Sequence, residues 1–342
     1  MTEMRILTAG DHFLSTEQLS IEGHKQIFEL ARVLEPVARG EARCSLLDGA
    51  ILGNLFFEPS TRTRISFGSA FAKLGGRVLE TTAQGMTSLA KGESLEDTAR
   101  VVSGYVDIVA LRHPQSGAAR RFADAALVPV INCGDGDGEH PTQSLTDLYT
   151  MDRELEARHK TIAGAKIAIV GDLKFGRTVH SLVIGLACYP HLSLSLCSPP
   201  GLELPDEYRD IAARAGHEVV IASSLDMALE GADVVYMTRY QEERYEAQDV
   251  LAPETSRFHL NAAAIAGLDG SAPVIMHPLP RDSRRGELAT DLDTSGELAI
   301  FRQTDNGVPV RMGLFCALFG LTPETVRKAV KPNAWPLRKK AL

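Results

Sequence analysis

The chain is poor in several residue types, and each shortage excludes something. It has one tryptophan and five cysteines in 342 residues. Cys44, Cys133, Cys188, Cys197 and Cys316 are odd in number, scattered and never spaced as CxxC. That pattern argues against a disulfide framework or a zinc site and for a reducing compartment. Positive charge is not in excess: 36 Lys+Arg stand against 44 Asp+Glu, a net charge of −8. Bulk attraction to polyanions is thereby excluded, and nucleic acid is not an expected partner. No apolar run approaches the ~18 residues that span a bilayer. The first residues, MTEMRILTAGDHF, mix charge and polarity without an apolar signal core. A soluble, cytoplasmic protein with no membrane partner is the expectation.

What is present is a globular composition, 44% hydrophobic and 23% charged, in a length that at roughly 150 residues per domain suits two domains. Short apolar runs recur, each followed by Gly, Pro or Ser and then a helical pattern. They are ILGNLFF (51–57), DIVALRH (107–113), VPVINC (128–133), KIAIVGD (166–172), LSLSLC (192–197), HEVVIAS (217–223), DVVYMT (233–238) and PVIMHP (273–278). Buried parallel strands read this way. Their alternation with helices predicted over 60–74, 93–105, 141–155 and 178–186 implies an α/β class with two doubly wound parallel sheets. A long helical stretch beginning HPTQ divides the strands into two sets. The expected domains are 1–145, rejoined by C-terminal helices at 308–330, and 146–307. The remainder, 331–342, carries two prolines and four basic residues and reads as a loose or externally docked tail.

In open α/β sheets ligands gather beyond the carboxyl ends of strands, and the unusual residues fall there. In FFEPSTRTRISF, Pro59 breaks a strand and Ser60 is a good N-cap, placing Ser60, Thr61, Arg62 and Thr63 on the first turn of a helix. Free N–H groups and the helix dipole favour an anion there, and two hydroxyls with an arginine make a phosphate cradle. An arginine at this end needs an anionic ligand or a carboxylate neighbour, for which Glu58 is a candidate. Arg62 and Arg64 lie about 200° apart around a helix. Arg62 is therefore assigned to the ligand and Arg64 to a structural ion pair. Arg112 ends an apolar strand in LRHP, which alone suits a solvated rim as well as a site. His140 and Gln143 follow the loop GDGDGEHPTQ, where His140 suits a helix cap or a hydrogen-bond donor. The loop lacks the spaced oxygens of a calcium loop, and no metal is expected. IVGDLKFGRT nearly matches a phosphate-binding loop, but Arg177 replaces its lysine, which suits forked binding of a carboxylate. Arg239 and Gln241 alternate in MTRYQEER, so both can point one way from an extended chain. Pro278 and Pro280 stiffen a loop in MHPLPR whose carbonyls can accept from an amide. Ser88 and Lys91 sit in a polar loop that alone reads as surface.

Taken in order, FFEPSTRTR, KGESLEDT, RHPQ, HPTQ, GDLKFGRTVHS, MTRYQEER and HPLPR resemble the aspartate carbamoyltransferase catalytic chain over nearly the whole sequence. The related ornithine enzymes typically carry HCLP where this chain has HPLP at 277–280, and they lack the arginines of GRT and TRxQ. The resemblance implies a carbamoyl phosphate domain (1–145), an aspartate domain (146–307), and transfer of a carbamoyl group to L-aspartate in de novo pyrimidine biosynthesis, without a cofactor. It assigns Ser60, Thr61, Arg62 and Thr63 to the phosphate and Thr63, Arg112 and His140 to the carbonyl oxygen. Gln143 and the carbonyls of Pro278 and Leu279 would bind the carbamoyl amide, and Arg177, Arg239 and Gln241 would hold aspartate. Ser88 and Lys91 would enter the neighbouring subunit's site, which implies a homotrimer, with regulatory or dihydroorotase-like chains as candidate partners in a larger assembly. Substrate binding would draw the two domains together. Against the best-known enterobacterial chains the KGE loop is one residue shorter. Gly68 stands where many relatives have Glu, and the segment RDSRRGELATDLD is longer and more basic. The alternatives are a carbamoyltransferase for ornithine or an acylated ornithine, and a non-catalytic anion-binding subunit.

Overall fold

All eight apolar runs form strands, and their helices follow in the expected alternation. The computed structural model describes residues 4–82, 92–245, 257–268, 270–282 and 286–335. These divide into two units, Met1–Leu145 with Asp305–Leu342, and Thr146–Thr304.

The first unit opens with helix α1 (Ile21–Arg39), capped by the Ser20 hydroxyl, which accepts from the Gly23 N–H, and closed by Gly40 in the left-handed region. There follow β1 (Ala42–Arg43), β2 (Ile51–Phe56), α2 (Thr61–Lys73), β3 (Arg77–Thr82), α3 (Leu95–Ser103), β4 (Ile108–His113), α4 (Ala118–Ala125) and β5 (Val130–Asp135). Four of these strands form a parallel sheet in the order β3-β2-β4-β5. The unbroken burial of β4 and β5 explains why they read as continuous apolar runs. β3, with the sequence RVLETT, was not anticipated. It is an edge strand with Leu79 and Glu80 exposed, so no apolar run announces it.

Helix α5 (Pro141–Glu156) carries the chain into the second unit. There β6 (Lys166–Val170), α6 (Arg177–Leu186), β7 (Ser193–Cys197), α7 (Asp206–Arg214), β8 (Glu218–Ile221), α8 (Leu225–Leu229), β9 (Val234–Met237), α9 (Ala262–Ala266) and β10 (Val274–Met276) build a second parallel sheet, ordered β10-β9-β6-β7-β8. Its core includes Val170, Val235, Met237, Ile275 and Leu260.

Helix α10 (Ile300–Leu318) returns to the first unit, where Phe315 meets Phe71 edge-on at 4.9 Å and Phe67 at 5.8 Å. After α11 (Pro323–Ala329), β11 (Lys331–Pro332) pairs antiparallel with β1. The Asn333 side-chain amide donates to the Gly40 carbonyl at 2.7 Å, so the start of the 331–342 segment is pinned to the end of α1. Among the described residues no helix is long and apolar enough to cross a membrane.

Candidate active site

In the first sheet successive strands lie to opposite sides of β2 and β4, which makes the carboxyl ends of those two strands the topological switch point. β2 runs out just before Ser60, and β4 ends in Arg112 and His113. Ser60 occupies the N-cap position of α2 in extended conformation, yet its side chain makes no capping hydrogen bond. The expected cap is therefore positional only. The Ser60 hydroxyl is not consumed by the helix, and the first-turn N–H groups face the same end. Thr61 and Arg62 are exposed and Thr63 is buried.

Arg112 is buried, and its Nη2 donates to Glu58 Oε1 at 2.7 Å. The sequence offers Glu58 as a neighbour for Arg62; in the structure its carboxylate holds Arg112 at the end of β4. The Phe57 N–H donates to the Arg112 carbonyl at 2.8 Å, prolonging the ladder by one step and delivering Glu58 there. The ion pair expected of Arg64 does not form among the described residues. Its Nε is buried without a partner, and only its carbonyl is engaged, accepting from Asn54 Nδ2 at 3.2 Å.

The loop after β5 is tied by hydrogen bonds to Asp135. Asn132 Nδ2 donates to Asp135 Oδ1 at 3.1 Å, the Gly117 N–H donates to Asp135 Oδ2 at 3.0 Å, and the Gly138 N–H donates to the Asp135 carbonyl at 3.0 Å. Burial nevertheless pushes the Asp135 carboxyl above its ordinary range. His140 then does what a helix cap does: its carbonyl accepts from the Gln143 N–H at 2.9 Å and the Ser144 N–H at 3.2 Å, with Pro141 at the first helical position. Its buried imidazole places Nδ1 3.5 Å from the Thr142 hydroxyl oxygen. Gln143, on the first turn, is half-buried.

The second sheet repeats the logic, with its switch point between β6 and β9. Beyond β6 a glycine turn leads to Arg177, the first residue of α6, whose N-cap Gly176 supplies no side chain. Beyond β9, Arg239 Nη2 donates to Gln241 Oε1 at 3.1 Å, so the alternate residues do point together. Asp172 joins the two arms. It accepts from the Phe175 N–H at 2.9 Å, the Gln241 N–H at 3.0 Å and the Tyr245 hydroxyl at 3.0 Å. Burial raises its carboxyl above the ordinary range against these three donors. Pro278 and Leu279 follow β10, with Leu279 at φ 56°, in the left-handed region.

The first unit thus gathers Ser60, Thr61, Arg62, Thr63, Arg112, His140 and Gln143 at strand ends, and the second gathers Arg177, Arg239, Gln241, Pro278 and Leu279. Ser88 and Lys91 lie outside the described residues. Sequence reading missed the carboxylates behind these groups. Asp172 was visible as the acid of a glycine turn. Glu139 precedes His140 and accepts from the Thr16 N–H at 3.2 Å and hydroxyl at 2.9 Å, a pairing across the sequence with no local signal.

Comparison with known proteins identifies the family of both units. Residues 11–153 match the profile of the aspartate/ornithine carbamoyltransferase carbamoyl-P binding domain, and residues 163–318 match that of the Asp/Orn binding domain. The chain is 48% identical to the aspartate carbamoyltransferase catalytic subunit of Saccharophagus degradans over 96% of this chain and 97% of that one. Among solved structures it is similar to the catalytic subunit of M. jannaschii aspartate transcarbamoylase (40% identity, 90% of this chain and 97% of that one, TM-score 0.79). It is also similar to the Trypanosoma cruzi aspartate transcarbamoylase in complex with carbamoyl phosphate and aspartate (33% identity, 94% and 100%, TM-score 0.81). With two strand-end clusters of arginines and hydroxyls in the units that these profiles cover, the chain belongs to the aspartate/ornithine carbamoyltransferase family.

Proposed function

We infer that this chain transfers the carbamoyl group of carbamoyl phosphate to the amino group of L-aspartate, giving N-carbamoyl-L-aspartate and phosphate, in de novo pyrimidine biosynthesis. The observation that carries this reading is the second unit's guanidinium set. Arg239 is aligned with Gln241 by a hydrogen bond, and Arg177 opens the helix beyond the adjacent switch strand, an arrangement suited to a substrate with two carboxylates. The relatives named as aspartate carbamoyltransferases support it.

In this reading Ser60, Thr61, Arg62 and Thr63 receive the phosphate. Thr63, Arg112 and His140 donate to the carbonyl oxygen, while Gln143 and the carbonyls of Pro278 and Leu279 orient the carbamoyl amide. Arg177, Arg239 and Gln241 hold aspartate. The neutral amine attacks the carbonyl carbon, the C–N bond forms, a tetrahedral oxyanion collects charge, and the C–O bond to phosphate breaks as the nitrogen sheds its proton. Each well-placed donor to that oxyanion is worth roughly 3–4 kcal/mol. Holding both reactants makes the step effectively unimolecular. His140 acts as a donor rather than a base, and the reaction calls on no cofactor.

Ser88 and Lys91 serve a neighbouring chain's site, the enzyme is a cytoplasmic homotrimer, and regulatory or dihydroorotase-like chains are its candidate partners. Release of phosphate that requires both carbamoyl phosphate and L-aspartate tests the reaction, and formation of carbamoyl-ornithine with no carbamoyl-aspartate refutes it. For the shared site, re-associated mixtures of inactive Arg62→Ala and Lys91→Ala chains regain part of the activity; mixtures that stay inactive exclude sharing.

A further inference from the structure

Two ionisable groups in the second unit have no place in that chemistry and yet are fully buried. His277 lies at the end of β10, and Glu287 belongs to the long basic segment after HPLP. The Leu279 N–H donates to His277 Nδ1 at 2.9 Å. An accepting Nδ1 fixes the tautomer, so the ring proton sits on Nε2, where Glu287 Oε1 accepts it at 3.2 Å. The same carboxylate oxygen accepts from the Asp282 N–H at 2.8 Å. Behind the ring, the His277 N–H donates to Gln303 Oε1 at 2.9 Å, Gln303 Nε2 donates to Asp147 Oδ1 at 2.7 Å, and the Tyr236 hydroxyl donates to Asp147 Oδ2 at 2.7 Å. The turn over Pro278 is therefore tied at its entry through Gln303 and at its exit through Glu287.

Between the ties stands Leu279 at φ 56°, a left-handed conformation that is strained for a non-glycine residue. The imidazole compensates by accepting the amide two residues on, as Asn and Asp side chains do in tight turns. A second copy of the device follows Arg112 in the first unit, where the Gln115 N–H donates to His113 Nδ1 at 3.1 Å across Pro114. Packing alone does not account for the second-unit pair. Glu287 Oε2 is buried with no hydrogen-bond partner among the described residues, so an apolar pair would fill the same space more stably.

We propose that His277, oriented by Glu287, is a positioning residue that holds the Pro278 and Leu279 carbonyls in the direction that receives the carbamoyl amide. The proposal rests on the carbamoyl-transfer reading and adds two residues to it.

The test uses the full chain with His277→Ala, His277→Asn and Glu287→Ala, and reads kcat and KM for carbamoyl phosphate, inhibition by inorganic phosphate, and the unfolding midpoint. His277→Ala is expected to raise KM for carbamoyl phosphate about tenfold or more and to lower kcat. Inhibition by inorganic phosphate stays within about twofold, because the phosphate contacts lie on another unit. His277→Asn restores an acceptor for the Leu279 amide and recovers most of the loss, and Glu287→Ala falls between the two. A merely structural role would lower the midpoint and the active fraction without this split. Parental KM and kcat per folded chain in His277→Ala overturn the proposal, as does an Asn variant no better than Ala at equal midpoint. If His277→Ala does not fold, a Glu287→Ala variant with unchanged carbamoyl phosphate saturation overturns it. A parent chain that forms no carbamoyl-aspartate refutes the reaction itself, a result distinct from an active parent with indifferent variants.

Discussion

Gly171→Ala is the most severe single-methyl change the second unit offers near its arginines. Gly171 follows β6 at φ 122°, and a Cβ placed there would lie 2.2 Å from the Thr238 carbonyl oxygen. That oxygen belongs to the backbone directly before Arg239, so no side chain can swing aside. Ordinary contact needs about 1 Å more than the structure allows. The conformation itself costs an alanine about 1–3 kcal/mol. The strain can be relieved only by moving the ends of β6 and β9 apart, since the Thr238 N–H is bonded to the Val170 carbonyl at 2.9 Å. Arg239 moves with its strand end and Arg177 with the other. A displacement of this size at reacting groups costs about 100-fold in rate. Steady-state formation of carbamoyl-aspartate should show KM for aspartate raised on that order per folded site, with KM for carbamoyl phosphate little changed. Gly201→Ala is the control, because Gly201 also has positive φ (84°) but open space around its would-be Cβ. It should lose stability without losing aspartate affinity. A cooperatively folded Gly171→Ala enzyme with parental aspartate saturation would refute the reasoning.

Glu58→Ala removes the carboxylate from a buried guanidinium, and the urea midpoint should drop by the equivalent of about 2–4 kcal/mol, with Glu58→Gln recovering more than half because an acceptor remains. Unchanged stability in Glu58→Ala would mean that Arg112 does not depend on the pair. His24, buried on α1, is held by burial at about 3, below its ordinary 6.5. The unfolded chain binds a proton that the folded chain refuses, so this contribution is intact above pH 6.5 and lost as pH falls towards 3, a few kcal/mol of it by about pH 4.5. The raised Asp135, Asp172 and Glu139 carboxyls act in the opposite sense. The test is therefore the difference between parent and His24→Leu, the variant losing less stability between neutral and acid pH in paired urea titrations. Gly68→Ala on α2 should raise stability by about 0.5–1 kcal/mol, measured by the same titration. A Cβ there meets Glu80 Oε1 at 3.4 Å, ordinary contact, and a lower midpoint would show that the site is tighter than that.

The strands were legible because burial on both faces leaves a continuous apolar run, as in VPVINC and KIAIVGD. β3 was not, because RVLETT carries charged and hydroxyl side chains, with Arg77, Leu79 and Glu80 exposed, and so leaves no apolar run. Arg239 and Gln241 were paired correctly because residue alternation in extended chain is a local rule. The pairing of Glu58 with Arg112 was not legible because it is set by the register of β2 against β4, which brings together residues far apart in sequence. Arg64 failed for the related reason that an ion pair needs a second residue whose position no local pattern reveals. Glu287 was read as part of a basic insertion; its burial against His277 follows from a chain reversal that spacing does not encode.

A switch point by itself selects nothing beyond an anion, since strand-end N–H groups and helix starts are common to every sheet of this kind. Selectivity must come from what lies past the strand ends, and the two units differ there in a telling way. The first unit offers hydroxyls, main-chain N–H groups, the exposed Arg62 and an Arg112 guanidinium paired with Glu58, donors suited to one compact, highly charged group. The second offers Arg177 and Arg239, with Arg239 Nη2 bonded to the neutral amide oxygen of Gln241. Placing an ornithine ammonium among these guanidinium groups would set like charges together at a cost of several kcal/mol. A second carboxylate in the same place gains forked, charge-assisted hydrogen bonds. In the proposed reading the same sheet architecture rejects the cationic amino acid by repulsion and accepts the acidic one by pairing, and the discrimination resides in a few residues beyond β6 and β9 rather than in the fold that carries them.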